Sequence, residues 1–149
     1  MPLILAICCV AALGLITYIS VKRKRDRQEM EQHCIVPEDL HTLLTSTQEV
    51  LLYDVRQPLD LLADPEIIPG ATRIAPKEII ENPSLIPKEK DAVVYCTCPS
   101  DETSKSIARQ AAALGFLKVK FLRGGLGAWK AKGYPVVPYE KPFHLDTGT

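Results

Sequence analysis

The start of the chain has a hydrophobic pattern unlike that of the rest. No charged residue interrupts the run from Leu3 to Val21, and about 20 such residues in a helix span the hydrocarbon core of a bilayer. A basic cluster, Lys22 to Arg27, follows directly, and clusters of this kind stay on the cytoplasmic side of a membrane. The pattern therefore predicts a single transmembrane anchor over residues 1–21, with the following domain facing the cytoplasm.

A cleaved signal peptide is the competing interpretation of the same run. Signal peptides carry their positive charges before the apolar region, whereas here the basic residues come after it. A lipoprotein signal is also disfavoured, because Ile7 stands where a small residue should precede Cys8. We therefore expect Cys8 and Cys9 to be apolar filler in an anchor, with palmitoylation as the minor alternative.

Short apolar runs alternate with helical patterns beyond a basic and polar linker over residues 22–33. The predicted strands are Val50–Arg56, Asp91–Cys96 and Val119–Leu122, and the predicted helices follow Pro37, cover residues 77–82 and 101–114, and run through Trp129 to Lys132. This alternation predicts an α/β fold with a mainly parallel sheet flanked by helices. We place this single domain at residues 34–138, with a C-terminal tail at residues 139–149.

Composition and charge narrow the function classes. The chain has 149 residues, with 18 basic and 18 acidic side chains and a formal net charge of zero, so no summed field favours nucleic acid. Five cysteines is an odd number, and two of them lie in the apolar run, which argues against a disulfide framework. We expect a reducing compartment and no cofactor.

The segment from Tyr95 to Pro99, with the sequence Tyr-Cys-Thr-Cys-Pro, carries the candidate chemistry. A cysteine where a strand ends and a helix begins lies near backbone N–H groups and the positive helix end, which lowers the pKa of a thiol and holds an anion. The candidate catalytic residues are Cys96 and Cys98, and the candidate loop and substrate-binding residues are Thr97, Pro99, Ser100, Asp101, Glu102, Thr103 and Ser104. A buried, inert Cys96 is the structural alternative.

The loop also contains acidic residues that bear on the substrate. Ser100 followed by Asp101 and Glu102 is a good helix start. The same two acids would repel an anionic substrate unless they point outward. The loop sequence therefore leaves the choice of substrate open.

Several segments between about Ile35 and Val137, taken in their order along the chain, resemble the rhodanese family. They are Leu52-Tyr53-Asp54-Val55-Arg56, Ile68-Pro69-Gly70-Ala71, Val93-Val94-Tyr95-Cys96, Gly115-Phe116, Leu122-Arg123-Gly124-Gly125 and Ala128-Trp129. The resemblance implies a rhodanese-like domain that moves sulfane sulfur through a cysteine persulfide, from a polysulfide, persulfide or thiosulfate donor to a thiol or cyanide acceptor. It also implies that Asp54 and Arg56 hold the edge of the site, with a plain surface ion pair as the alternative.

Two departures from the family pattern leave the site open. Ile67 stands where the family usually has a histidine, and the loop has no arginine where the family usually has Arg-Ser. If the family's active-site strand is aligned with Val93–Cys96 without a gap, Cys96 is the nucleophile. If the usual five residues are counted back from Ser104, the nucleophile is Cys98. We prefer Cys96 and expect that Cys98 could resolve or accept the persulfide.

Other functions remain open at this point. A non-catalytic rhodanese-like module that binds a partner or senses redox state at the membrane is favoured by the missing arginine and the acidic loop. A Cys-x-Cys site for a soft metal has too few ligands to be complete, so we expect no metal site. A phosphatase is disfavoured because Ser104 stands where the Cys-x5-Arg pattern needs arginine.

Overall fold

The computed structural model describes residues 2–97, 102–116 and 118–142, with side chains described from residue 7 onward except at residues 29 and 30. The chain divides into two compact units, Met1–Gln32 and His33–Thr149. Each is described by itself below.

The first unit is one helix, α1, over Pro2–Gln32. Proline at the first helical position costs nothing, because the N–H it lacks has no intrahelical partner there. The apolar side chains of α1 are exposed, for example Val10 at 70% and Leu13 at 63%. Over the described residues, neither α1 nor any other helix combines the length and the apolar character that a membrane crossing requires. The predicted transmembrane helix is therefore not supported by this part of the chain.

The second unit is built on a five-stranded sheet in which every strand pairing is parallel. The order across the sheet is β1-β6-β5-β2-β4, and a separate antiparallel pair joins β3 to β7. The strands are β1 (Cys34–Ile35), β2 (Val50–Asp54), β3 (Glu66–Ile67), β4 (Thr72–Arg73), β5 (Asp91–Tyr95), β6 (Val119–Leu122) and β7 (Val137–Pro138). The predicted α/β fold with a central parallel sheet is confirmed.

In the described part of this unit, five α-helices and one 3-10 turn connect these strands. They are α2 (Pro37–Thr45), α3 (Pro58–Ala63), α4 (Pro76–Glu81), the 3-10 turn Pro83–Leu85, α5 (Glu102–Ala113) and α6 (Gly125–Ala131). Proline begins α2, α3 and α4, where its fixed φ suits the first turn. The pattern of the sequence did not predict α3, which has only six residues.

Strand alternation gives the sheet two different faces. Leu52, Val93 and Tyr95 share one buried cluster with Trp129 of α6 and Leu40 of α2. Because successive strand side chains point to opposite faces, the alternate positions of β5 face the other side. Helices α4 and α5, which contact each other, line a small apolar gap with Phe116 on that second side. The central strands are therefore buried on both faces, as parallel strands usually are.

Two predicted boundaries differ from the structure. Strand β2 ends at Asp54 rather than at Arg56, because the chain turns there and the Arg56 side chain folds back onto the Asp54 carboxylate. The helix expected from residue 101 is described from Glu102, since Asp101 lies outside the described residues. Strands β1, β3, β4 and β7 have two residues each, too few for a pattern of alternation to predict.

Candidate functional site

Cys96 directly follows the central strand β5, at the carboxyl edge of the sheet. Its side chain is 1% exposed. The backbone N–H of Leu126 donates to the Cys96 carbonyl over 3.0 Å, and the N–H of Val55 donates to the Tyr95 carbonyl over 2.9 Å. The backbone around this cysteine is therefore held by the residue after β2 on one side and by the first turn of α6 on the other, at the edge where parallel α/β sheets bind ligands.

A pair of glycines lets α6 begin close to Cys96. Gly124 and Gly125 have φ values of 72° and 55°, in the left-handed region that favours glycine. A Cβ atom on Gly124 would lie 2.6 Å from the Cβ of Ala128, far inside normal contact. The tight entry to α6 therefore requires glycine, and it brings the Leu126 N–H to the cysteine's carbonyl.

The loop between Cys96 and α5 is described only at its two ends. Cys98, Pro99, Ser100 and Asp101 lie outside the described residues, so the predictions made for them stay predictions. Thr97 is half-buried at the near end. Glu102 at the far end is exposed. Its charge therefore points away from the loop interior, as it must if an anionic donor is not to be repelled there.

Among the residues that the structure describes, two hydroxyl groups at the ends of this loop are buried without a hydrogen-bond partner. They are Oγ1 of Thr97 and Oγ of Ser104, and Ser104 as a whole is 0% exposed. Ser104 lies in the first turn of α5, a helix of 12 residues whose first N–H groups have no intrahelical acceptor. A buried hydroxyl left unpaired costs about 1–3 kcal/mol. These hydroxyls and the positive end of α5 are thus donors available to a ligand in the loop.

Asp54 and Arg56 form a buried ion pair rather than a surface one, because both side chains are 0% exposed. Arg56 Nε donates to both Asp54 carboxylate oxygens at 3.0 and 2.9 Å, and Nη2 donates to Oδ2 at 2.6 Å. The other guanidinium donors reach the carbonyls of Asp64 and Glu66 at 2.8 and 2.7 Å. Burial alone would lower the pKa of Arg56, but the hydrogen bond and charge of Asp54 outweigh it and raise that pKa.

Tyr95 connects this ion pair to the strand that carries the cysteine. Its hydroxyl donates to Asp54 Oδ2 over 3.3 Å and accepts from the Ile68 N–H over 3.2 Å. Burial and then the charge of Asp54 raise the pKa of Tyr95 well above its ordinary value, so the phenol stays protonated and remains a donor. The residue immediately before Cys96 is thereby held by two segments remote in sequence. The sequence did not indicate a site role for Tyr95, although its place at the end of a predicted strand was consistent with burial.

Arg73 is a second residue that the sequence analysis missed. It lies in β4, and its Nη1 donates to the Asp54 and Ile74 carbonyls at 3.2 and 2.5 Å. Its Nε atom is buried and has no partner among the described residues. No sequence motif marks this arginine, because its significance depends on where β4 ends in the sheet.

Among the described residues, His33, His41 and Cys34 lie elsewhere in the second unit. His41 stacks on Tyr134 with ring centroids 4.2 Å apart, and His33 contacts the carbonyl of Val119. Cys34 lies on β1, which β6 separates from β5, and its Sγ accepts from Arg123 Nε over 3.3 Å. Within the described parts of the chain, no group of three or more His, Cys, Asp or Glu side chains could hold a metal ion.

Comparisons with known proteins agree with this geometry. A family model described as a rhodanese-like domain matches residues 36–132. A protein of Allochromatium vinosum named sulfurtransferase is 35% identical over 103 residues, covering 69% of this chain and 92% of that protein. The crystal structure of a rhodanese-related protein from Thermoplasma volcanium has 26% identity and a TM-score of 0.60, covering 70% of this chain and 97% of that one. The crystal structure of a Lactobacillus plantarum protein has 20% identity and a TM-score of 0.68, and the match covers 80% of this chain and 98% of that one. At this low identity the likeness shows only that the fold is shared.

The buried ion pair yields a stability prediction. Removing one partner leaves a buried charge uncompensated, so Arg56→Met should lower the free energy of unfolding by about 3–5 kcal/mol. The control is Lys90→Met at the exposed pair that Lys90 makes with Glu49, where the cost should be about 0–1 kcal/mol. Urea unfolding of the full chain measures both, and equal losses would show that the buried pair contributes no more than the surface pair.

Proposed function

This chain belongs to the rhodanese-like domain family, and from that membership we propose that it is a sulfurtransferase that carries sulfane sulfur on a cysteine. The observation that carries the proposal is the position of Cys96 at the carboxyl end of the central strand, before a loop that leads into α5. Its similarity to a protein named sulfurtransferase supports the same activity.

The reaction proceeds in two displacements at sulfur. The cysteine thiolate attacks the sulfane sulfur of a donor, the donor's bond to that sulfur breaks, and the donor leaves with the bonding electron pair. With thiosulfate the products are a cysteine persulfide anion and sulfite. An acceptor thiolate or cyanide then attacks the outer sulfur, and the cysteine leaves as thiolate. No oxidant or reductant is consumed, so no cofactor is needed.

The loop ends offer groups that stabilise the persulfide. Its negative charge is favoured at the N-terminal end of α5, where backbone N–H groups have no intrahelical acceptor. The buried hydroxyls of Thr97 and Ser104 have no hydrogen-bond partner in the described part of the chain, so donating to sulfur would recover the cost of burying them. Glu102 is exposed and does not oppose this charge from inside the loop.

The nucleophile is one of two cysteines. We propose that Cys96 carries the persulfide, because it directly follows the strand and its burial shields bound sulfur from water. The loop that leads to α5 follows Cys96 directly in the sequence. Cys98 lies in that loop, where it would accept the sulfur or resolve the persulfide as a disulfide.

We also propose that α1 anchors the protein in a membrane with the domain in the cytoplasm. The support is the sequence, in which the uncharged run begins at Leu3 and is followed by the basic cluster Lys22 to Arg27. The described side chains begin only at Ile7. From Ile7 to Val21 the large apolar side chains of α1 are exposed rather than packed in a core, as a lipid-facing helix requires.

Replacing each cysteine in turn tests the activity and assigns the nucleophile. Cys96→Ser in the full chain should abolish the persulfide mass formed with thiosulfate or polysulfide, because serine cannot carry sulfane sulfur. Cys98→Ser should keep that mass and change only its transfer to an acceptor. Loss in Cys98→Ser alone would reassign the nucleophile. No persulfide in the wild-type chain with either donor would exclude the sulfurtransferase and favour a non-catalytic binding or redox-sensing module.

Replacing Ser104 separates a functional hydroxyl from a structural one. Ser104→Ala removes a buried unpartnered hydroxyl, so it should leave the free energy of unfolding unchanged or raise it. It should nevertheless lower kcat/KM for sulfur transfer about tenfold, the usual effect of losing one hydrogen bond to a charged group. The control is Ser106→Ala at an exposed position of the same helix, which should change neither. Unchanged kcat/KM in Ser104→Ala would exclude the proposed hydrogen bond.

Membrane extraction tests the anchor. The full chain should stay with membranes in alkaline carbonate, and Leu13→Arg at the middle of the apolar run should release much of it, because a central arginine costs about 2.5–3.5 kcal/mol on insertion. Gln28→Arg, outside that run, is the control and should stay bound. Release of the wild-type chain by carbonate alone would rule the anchor out. Protease digestion of the domain from the cytoplasmic face of sealed vesicles checks its orientation.

A further inference from the structure

We propose that the groove between α4 and α5 is a self-association surface, on which a second copy of this chain docks about a two-fold axis. The inference is independent of the proposed sulfur transfer, because the residues that carry it take no part in that reaction. It rests on the apolar side chains exposed at the groove and on the order of the charges along α4.

The groove is apolar both inside and along its rim. Its inner wall includes Ile79 and Pro83 on one side and Ile107 and Ala111 on the other. Three large apolar side chains at this groove are exposed, namely Ile80 at 43%, Leu85 at 42% and Leu114 at 48%. Apolar side chains gathered on one surface mark an interaction site, whereas singly exposed ones do not.

Sequence position and hydrogen bonds make the three exposed side chains neighbours. Ile80 itself lines the groove, and Leu85 comes directly before Ile86, another lining residue. Gln110 Nε2 donates to the Ile80 carbonyl over 3.2 Å, and the Leu114 N–H donates to the Gln110 carbonyl over 3.1 Å. The apolar rim therefore runs from the 3-10 turn and α4 across to the end of α5.

The charges along α4 are ordered so that a second copy complements them. Lys77 and Glu81 are both exposed and lie four residues apart, with Ile80 between them in the sequence, so they share one side of the helix. Among the described residues, neither forms an ion pair within 4.0 Å. When two α4 helices pack antiparallel, Lys77 of each copy faces Glu81 of the other, so one two-fold contact makes two ion pairs.

The mixed charges around the groove favour a second copy over a strongly charged partner. They are of both signs and belong to Lys77, Glu78, Glu81, Lys88 and Arg109. A nucleic acid or a polyacidic protein would therefore meet no field of a single sign here. The formal net charge of the chain is zero, so two copies approach each other with little repulsion. An apolar centre with a polar rim is the usual composition of a protein–protein contact.

Docking at this groove leaves the candidate site open. Helix α5 follows the loop after Cys96 and has 12 residues, so it is about 18 Å long. Leu114 comes directly after the last residue of that helix. Leu85 lies in the 3-10 turn that precedes the start of β5, whereas Cys96 follows the end of β5. Leu85 and Leu114 therefore lie toward the edge of the sheet opposite to the cysteine.

Charge exchange on α4 tests the two-fold contact. Sedimentation equilibrium of the full chain, in detergent and with a reductant so that no disulfide forms, measures the Kd of the dimer. Lys77→Glu alone and Glu81→Lys alone should each raise Kd about tenfold, because each turns two attractive pairs into repulsive ones. An equimolar mixture of these two variants should associate with the wild-type Kd, and so should the chain that carries both substitutions.

A charge at the apolar rim tests the centre of the surface. Ile80→Asp should raise Kd more than about tenfold, because association would bury a carboxylate without a partner. The matched control is Leu59→Asp on α3, a leucine that is 69% exposed and lies outside the groove, and its Kd should stay at the wild-type value. Thermal melting checks that both variants are folded.

Every outcome decides for or against the self-association surface. A wild-type chain that stays monomeric at every concentration that can be reached overturns it. An unchanged Kd in Ile80→Asp, or an equal loss in Leu59→Asp, assigns association to another part of the chain and overturns it as well. The same holds if the chain with both charge substitutions associates no better than either single variant. If Ile80→Asp does not fold, the charge variants alone decide.

Discussion

The buried ion pair between Asp54 and Arg56 holds in place the segments of the domain that surround the cysteine. The carboxylate neutralises the guanidinium, the guanidinium binds the carbonyls of Asp64 and Glu66, and Tyr95 donates to the same carboxylate. Without that pairing a charge would be left in a region that water does not reach, at a cost of several kcal/mol. The end of β2, the segment leading into β3 and the end of β5 therefore keep one arrangement, and Cys96 begins where that arrangement ends.

The sequence predicted the parts of the domain that depend on local pattern. Compact apolar runs predicted β2, β5 and β6, and the Ala-rich stretch closed by Gly115 predicted α5 almost to its boundaries. The two-residue strands were missed because they are defined by partners elsewhere in the chain. For Arg56 the pattern indicated a charged strand end and could not distinguish a surface pair from a buried one, since burial depends on Asp64, Glu66 and Tyr95 arriving from other elements.

Only the part of the candidate site that depends on local pattern could be predicted from the sequence. The strand, the cysteine and the helix after it follow one another in sequence, so their neighbourhood could be foreseen. The buried hydroxyl of Ser104 and the guanidinium of Arg73 could not, because a serine in a first helical turn is usually a solvated residue and an arginine in a short strand is usually exposed. In the structure Ser104 faces the interior and Arg73 lies over carbonyl groups. Both depart from what local rules favour, and such departures are where function is most often found.

The position of β5 in the middle of the sheet has a consequence for how the protein is made. Its partners are β2, earlier in the chain, and β6, later, with Val50 opposite Asp91 and Ala92 opposite Val119. Parallel pairings between distant segments form late in folding. During synthesis β5 therefore lacks its second neighbouring strand until β6 has emerged, and over that time we expect the Cys96 thiol to be open to oxidants. That interval is the period in which the growing polypeptide most needs a reducing environment.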